Sequence, residues 1–361
     1  MSEPTTIVIC GGGIIGTSIA YFLSKLKRKE LKIVIVERES IACHSSGKAG
    51  GFLALDWNDH NEVGPLSRLS YKLHQELATQ LTDEKLGYRD LDTYSISARA
   101  PSKISPVKSS AWIDGNIRQK QSIGTKENTS QVHPFTLTHS LMKASDSTLI
   151  IDTVIGIENS AHKVRKVRLA KKGEIDADVV VIAMGAWSSQ ASNFFPLCKS
   201  IFKIKGSKAH SIVLEADLPP EALFTHYVEA NGRSKEPEIY PRPDGTVYVC
   251  GEGNKDPLPE NPADVNPSKD AGQKLQYISG QICSQLKEAK VLKEQACYLP
   301  CSPDGVPIIG KLPNYQGAYV ATGHGCWGIL NAPATGKCLA QMILNQELDI
   351  DLSPFSPNRF V

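Results

Sequence analysis

The sequence lacks an excess of charge of either sign. Forty Lys and Arg stand against 38 Asp and Glu, a net charge of +2. That balance excludes a strongly basic nucleic-acid binder and an acidic tail protein, so no nucleic-acid partner is expected. No apolar run approaches the roughly 20 residues of a membrane span, so no transmembrane segment is expected. No Lys or Arg precedes the first apolar run, residues 6–10, so the N-terminus does not read as a secretory signal. Repeats and low-complexity tracts are absent. The nine cysteines are odd in number and irregularly spaced. They read as reduced thiols of a cytoplasmic protein, not as a disulfide framework. Nor do they form metal-ligand spacings, and no metal is expected. What is there is globular in kind: 41% hydrophobic and 22% charged residues, with chain enough for two domains.

Residues 5–10 (TTIVIC) read as a short buried strand. A helix follows over 14–29, with Ile14, Ile15, Ile19, Phe22, Leu23 and Leu26 on one stripe, then a second strand at 31–36. Strand, helix and strand in so short a space make a βαβ unit, and its sheet should be parallel. The Ser- and Gly-rich stretch 43–51 reads as a loop. The spacing of Leu66, Leu69, Leu73 and Leu77 predicts a helix over 65–82. Residues 99–130 are polar and resist assignment. Strands are expected at 149–155, 164–170 and 178–184, the last ending at Gly185. Alternating runs within 206–250 suit an antiparallel sheet, and 253–268 reads as a surface loop. Helix is expected at 271–288, a strand at 318–322, and a final helix at 332–345 whose first turn holds Pro333.

Gly11-Gly12-Gly13-Ile14-Ile15-Gly16 fits G-x-G-x-x-G between the first strand and the first helix. Gly11 permits a tight turn, Gly13 lets a pyrophosphate approach the backbone, and Gly16 lets helix and strand pack closely. The helix N-terminus, at Ile14 and Ile15, then offers free N–H groups to phosphates. Glu37 closes the second strand, 21 residues after Gly16, where an acid binds ribose hydroxyls; Arg38 stands beside it. The constellation predicts a bound dinucleotide but does not choose between FAD and NAD.

Further along stand ACHSSGKAGGFLA, VHPFTLTHSL at 132–141, VVVIAMGAWSS at 179–189, YPRPDGTVYVCGE at 240–252, CSPDGVPIIG at 301–310 and TGHGCWGILNAPATGK at 322–337. With the N-terminal motif these ordered markers span almost the whole chain. On them the sequence resembles the D-amino-acid oxidase/glycine oxidase/sarcosine oxidase family of FAD-dependent oxidoreductases, and within it a fungal and plant branch that carries CWG after GHG. The resemblance implies FAD. It places Ser45, Ser46 and Lys48 in a loop that wraps the pyrophosphate and ring, and Gly185 and Trp187 on the adenosine side. It sets Gly323, Gly325, Cys326, Trp327 and Gly328 against the flavin, with a helix N-terminus aimed at the ring edge that becomes anionic on reduction. Cys297 stands about six residues before Pro303-Asp304, the offset at which some sarcosine-oxidase-like members tether FAD.

Two departures accompany the resemblance. The Arg that clamps a substrate carboxylate in glycine-oxidase-like members is Leu299 here. The Lys that oxygen-activating sarcosine-oxidase-like members hold over the flavin is missing from Thr246–Cys250. Arg242, Tyr248 and His324 are the weak catalytic candidates that remain. The expected protein is α/β. It has a Rossmann-like FAD domain (1–55, 130–205 and 295–361) interleaved with a mixed, mostly antiparallel-sheet substrate domain (56–129 and 206–294). Its expected reaction is oxidation of the C–N bond of a small amine or amino acid to an imine, with oxygen or another acceptor taking the electrons. A non-catalytic FAD-holding protein of trafficking or assembly, and an NAD-dependent dehydrogenase, are the rivals.

Overall fold

The computed structural model describes residues 4–27, 30–82, 85–100 and 109–361. Its centre is a six-stranded sheet in the order Ile308–Lys311, Ala318–Thr322, Val179–Ile182, Thr5–Cys10, Leu31–Glu37, Thr148–Ile151. All neighbours run parallel except the first pair. The strands are apolar on both faces because both faces are covered. Ile7, Ile9, Ile33, Ile35 and Val181 pack under helices. Val8, Val34, Val36, Val180 and Ile182 pack on the opposite side, together with Val164 and Val167 of a three-stranded antiparallel layer.

The second large sheet has eight strands and is antiparallel but for one pair, Glu221–Val228 beside Asp92–Arg99. One face packs on the helix Ala271–Ile282 through Leu223, Ile239, Val249 and Leu275. The other face carries Tyr240, Tyr248 and Phe224 toward the first sheet. The strand Val291–Cys301 belongs to this second sheet and runs across the expected domain boundary at 295. The helix Gly64–Gln80, expected with the substrate domain, joins the core of the first sheet through Leu66, Leu73 and Leu77.

Two local readings need correction. The expected loop 43–51 contains one helical turn, Ser45–Lys48. The final helix runs Gly328–Ile343, so Pro333 lies inside it rather than in its first turn. Proline removes an N–H and leaves the carbonyl four residues back without its helical partner. That carbonyl belongs to Ile329. The helix Gly64–Gln80 supplies the remedy: His74 Nε2 lies 3.0 Å from Ile329 O and 3.1 Å from Leu330 O, and Ser70 Oγ accepts from Ala334 N at 3.0 Å. The two carbonyls require Nε2 to carry the proton, and burial pushes the His74 pKa down to about 4.

His74→Leu should therefore cost about 1–3 kcal/mol, the penalty of an orphaned buried carbonyl, read by thermal unfolding. The unfolded imidazole titrates near 6.5 and the folded one near 4. The unfolded state therefore binds more protons between these values, and stability falls as pH drops through that window. The fall should be shallower in His74→Leu than in the wild type; an identical slope would show that His74 is not the buried neutral group described.

Candidate active site

A cavity opens beyond the C-terminal ends of Thr5–Cys10, Leu31–Glu37, Val179–Ile182 and Ala318–Thr322. Ligands of open α/β sheets bind at that edge. Gly11, Gly13, Ile14, Ile15, Glu37, Arg38, Ser45, Ser46, Gly185, Trp187, Gly325, Cys326 and Gly328 all line it. Gly11 has φ +119, and a Cβ there would lie 2.3 Å from Ala183 O, so the turn that starts the loop requires glycine. Glu37 Oε2 accepts from Gly12 N at 2.7 Å and Oε1 from Glu39 N at 3.0 Å. The carboxylate thus fixes the glycine loop while facing the cavity. Ser46 Oγ accepts from Ile14 N at 2.8 Å, capping part of the helix N-terminus. Arg38 is tied at the rim to Gln190 Oε1 and Glu260 O, each at 2.9 Å.

The cavity is built to receive a group against its backbone. A Cβ added at Gly185 or Gly325 would meet nothing within 4 Å, and one at Gly13 would meet only Ser46. Two buried ring nitrogens in its wall, His44 Nδ1 and His324 Nδ1, have no hydrogen-bond partner. A large dinucleotide with polar edges fits these features. Leu299 and Pro300 close one side.

Other expected site residues lie elsewhere. A Cβ on Gly16 would stand 2.0 Å from Gly11 O, so this glycine serves helix–strand packing and does not touch the cavity. Lys48 turns away and donates to Ala296 O at 3.0 Å. Gly323 backs onto Ser302. Trp327 faces Trp57 edge-on, ring centroids 6.3 Å apart. Cys297 is buried in its strand, paired with Ala209, and burial raises its pKa. The catalytic candidates also take other roles. Tyr248 donates to Lys48 O at 3.0 Å and Arg242 to Ala49 O at 3.1 Å, so both fasten the 48–49 backbone instead of lining the cavity. His324 does line it, but Nε2 contacts Thr335 Oγ1 at 3.0 Å and burial pushes its pKa down to about 3. It is a neutral brace between the glycine loop and the last helix.

Sequence reasoning missed His44, whose ring packs at a tilt on Trp187 (centroids 4.4 Å) and reaches Pro262 O at 2.9 Å. It also missed Cys10 and Cys43 in the wall. Burial raises their thiols to about 12 and about 11, and raises Cys326 as well. Thiols so held are protonated at neutral pH and poor nucleophiles. No group of three or more His, Cys, Asp or Glu among the described residues is placed to hold a metal, and no described helix is long and apolar enough to cross a membrane.

Comparison with known proteins agrees with this geometry. The profile of the DAO family, "FAD dependent oxidoreductase", matches residues 6–342. A protein of Schizosaccharomyces pombe is 34% identical, over 96% of this chain and 95% of that protein. A glycine oxidase of Pseudomonas aeruginosa is 24% identical over 99% of each. The crystal structure of glycine oxidase from Geobacillus kaustophilus superposes with a TM-score of 0.81, covering 100% of both chains at 21% identity.

Gly13→Glu should abolish FAD binding, because the new carboxylate would project where phosphate must meet backbone; a purified variant that stays fully yellow would place the site elsewhere. Glu37→Ala should weaken FAD by about 1.5–3 kcal/mol and lower the melting temperature too, since it frees Gly12 N. Acid precipitation should send the yellow colour wholly to the supernatant, and Cys297→Ala should change nothing in that partition; colour retained in the pellet would establish a tether.

Proposed function

The chain belongs to the FAD dependent oxidoreductase family, and from that premise we propose that it oxidises the C–N bond of a small amine or amino acid to an imine, in the cytoplasm. The observation that carries this reading is the meeting of both chain ends at one cavity: Gly11–Ile15 from the N-terminal motif and Gly325–Ile329 at the start of the last helix. A simple NAD domain has no need of that second wall. When bound, FAD supplies the acceptor for a hydride equivalent, at flavin N5.

The chain's own residues do the rest. Gly13 and Ile15 would receive the pyrophosphate at a helix N-terminus, since the N–H groups of Gly11 and Ile14 are taken by Val36 O and Ser46 Oγ. Glu37 Oε1 accepts from Glu39 N and Cys43 Sγ, while Oε2 accepts only from Gly12 N and keeps lone-pair capacity for a ribose hydroxyl. The N-terminal end of the 16-residue helix Gly328–Ile343 opens on the cavity through Gly328 and Ile329, where its dipole favours negative charge. Leu299 and Pro300 exclude water from one side. The wall histidines, His44 and His324, are poor bases, held neutral by burial with pKa values of about 4 and about 3. The substrate amine must therefore be oriented rather than activated, about 3–3.5 Å from its acceptor. The imine hydrolyses after release, and oxygen or another acceptor restores the cofactor.

Anaerobic mixing of the FAD-loaded protein with a panel of amines and amino acids should bleach the flavin band with at least one compound class. A flavin that stays oxidised with every member would instead favour a protein that holds FAD without turning over.

A further inference from the structure

We propose that the substrate face recognises an ammonium cation rather than a carboxylate: Glu238, set among the rings of Phe52, Trp57, Phe224, Tyr240 and Trp327, forms a cage for a substituted amine bearing no carboxylate. The inference deepens the C–N oxidation reading and rests on it for the identity of the ligand as substrate.

The sheet register builds the cage. Phe224 pairs with Glu238 and Glu238 with Cys250, while Tyr240 pairs with Tyr248 in the next such row. Directly paired residues share a face. The alternate residues Leu223, Ile239 and Val249 point into the core on the other side, so Glu238 is turned toward the first sheet. Phe52, Trp57 and Phe224 close on one another with centroids 5.0–5.1 Å apart. Phe52 stacks on Tyr240 at 5.7 Å, and Trp57 meets Trp327 at 6.3 Å. Trp327 follows Cys326 of the cavity wall. Glu238 is near enough to that thiol for its charge to add to the effect of burial on it. The cage therefore borders the cofactor cavity.

The charges there select a cation. Glu238 Oε2 accepts from Tyr240 OH at 2.6 Å and from Cys250 Sγ at 3.4 Å. Oε1 has no hydrogen bond and the carboxylate no ion pair among the described residues. A half-buried acid with one oxygen left over, on a sheet face lined by aromatic rings, attracts an ammonium group. The same acid repels a carboxylate. Among the described residues no Lys or Arg pairs with it: Arg242 bonds Ala49 O and lies 5.1 Å from the Tyr248 ring, with the Tyr240–Tyr248 stack beyond.

The test titrates the FAD-loaded protein with benzyltrimethylammonium and with benzoate. It reads tryptophan fluorescence and the flavin difference spectrum, neither of which needs turnover. The cation should bind saturably and benzoate at least tenfold more weakly. Glu238→Gln, which keeps an acceptor for Tyr240, should weaken the cation tenfold or more with flavin content unchanged. Phe224→Leu serves as a second variant and should also weaken it. Benzoate binding as tightly as the cation, or neither variant affecting the cation, would overturn the proposal. The two readings fail separately. Cation binding with no amine bleaching the flavin would leave the cage and remove the oxidation. Bleaching by amino acids with benzoate as competitor would do the reverse.

Discussion

The segment 44–51 is a cavity wall that the first sheet does not hold by itself. His44, Ser45, Ser46 and Ala49 face the cavity, yet the segment's polar groups are satisfied largely from the second sheet. Ser45 Oγ donates to Tyr298 O at 2.7 Å, Lys48 Nζ to Ala296 O, and Gln295 Nε2 to Lys48 O at 3.2 Å. Tyr248 and Arg242 bond the carbonyls of Lys48 and Ala49 from the neighbouring strands. Buried backbone groups must find partners, and here the partners lie on the opposite half of the fold. Gly50 lets the segment lie against the Tyr240 ring, 2.6 Å from where a Cβ would stand. The cofactor loop and the substrate sheet are in this way one mechanical body, and the cage above the loop inherits its position from the same bonds.

Two charged groups that the sequence offers to the chemistry, Lys48 and Arg242, are used up in this stitching. Arg242 is 7% exposed, with its guanidinium turned to a carbonyl and a tyrosine ring. Apart from Glu37, Arg38 and Asp152, what faces the cavity is short on charge: protonated thiols, neutral imidazoles, glycine backbone and helix termini. Such a site works through fixed dipoles and exclusion of water, which suits a reaction whose difficult step resides in the cofactor. Glu238 stands out against that background as an acid without a counter-ion.

The parallel sheet and the glycine loop were legible in the sequence because they obey short-range rules. The apolar runs 5–10 and 31–36, the spacing from Gly11 to Gly16 and the acid at 37 are local patterns with one physical reading. The Gly325–Gly328 turn was legible by resemblance. His74 was not, because its role follows from Pro333 lying inside a helix more than 250 residues away, and nothing in its own neighbourhood records that. Lys48 and Arg242 were misread for a related reason: a cation in a site-like motif gives no sign of which carbonyl will take it. His44, Cys10 and Cys43 belong to the same class. They line the cavity because strands distant in sequence end at one edge. The cage is the extreme case, since Phe52, Phe224 and Glu238 become neighbours only through strand register and the packing of one sheet on the other.

The order of strands in the first sheet also sets an order of events during synthesis. Thr5–Cys10 can pair early with Leu31–Glu37, but its other neighbour is Val179–Ile182, which in turn pairs with Ala318–Thr322. The wall at Gly325–Ile329 comes later still. A nascent chain therefore carries its nucleotide motif with the apolar strand edge at Thr5–Cys10 open until Val179–Ile182 is made, near the midpoint of synthesis, a state prone to aggregation. The cavity can close around its cofactor only once the last helix has left the ribosome. Truncation near the C-terminus removes the site as surely as truncation at its start.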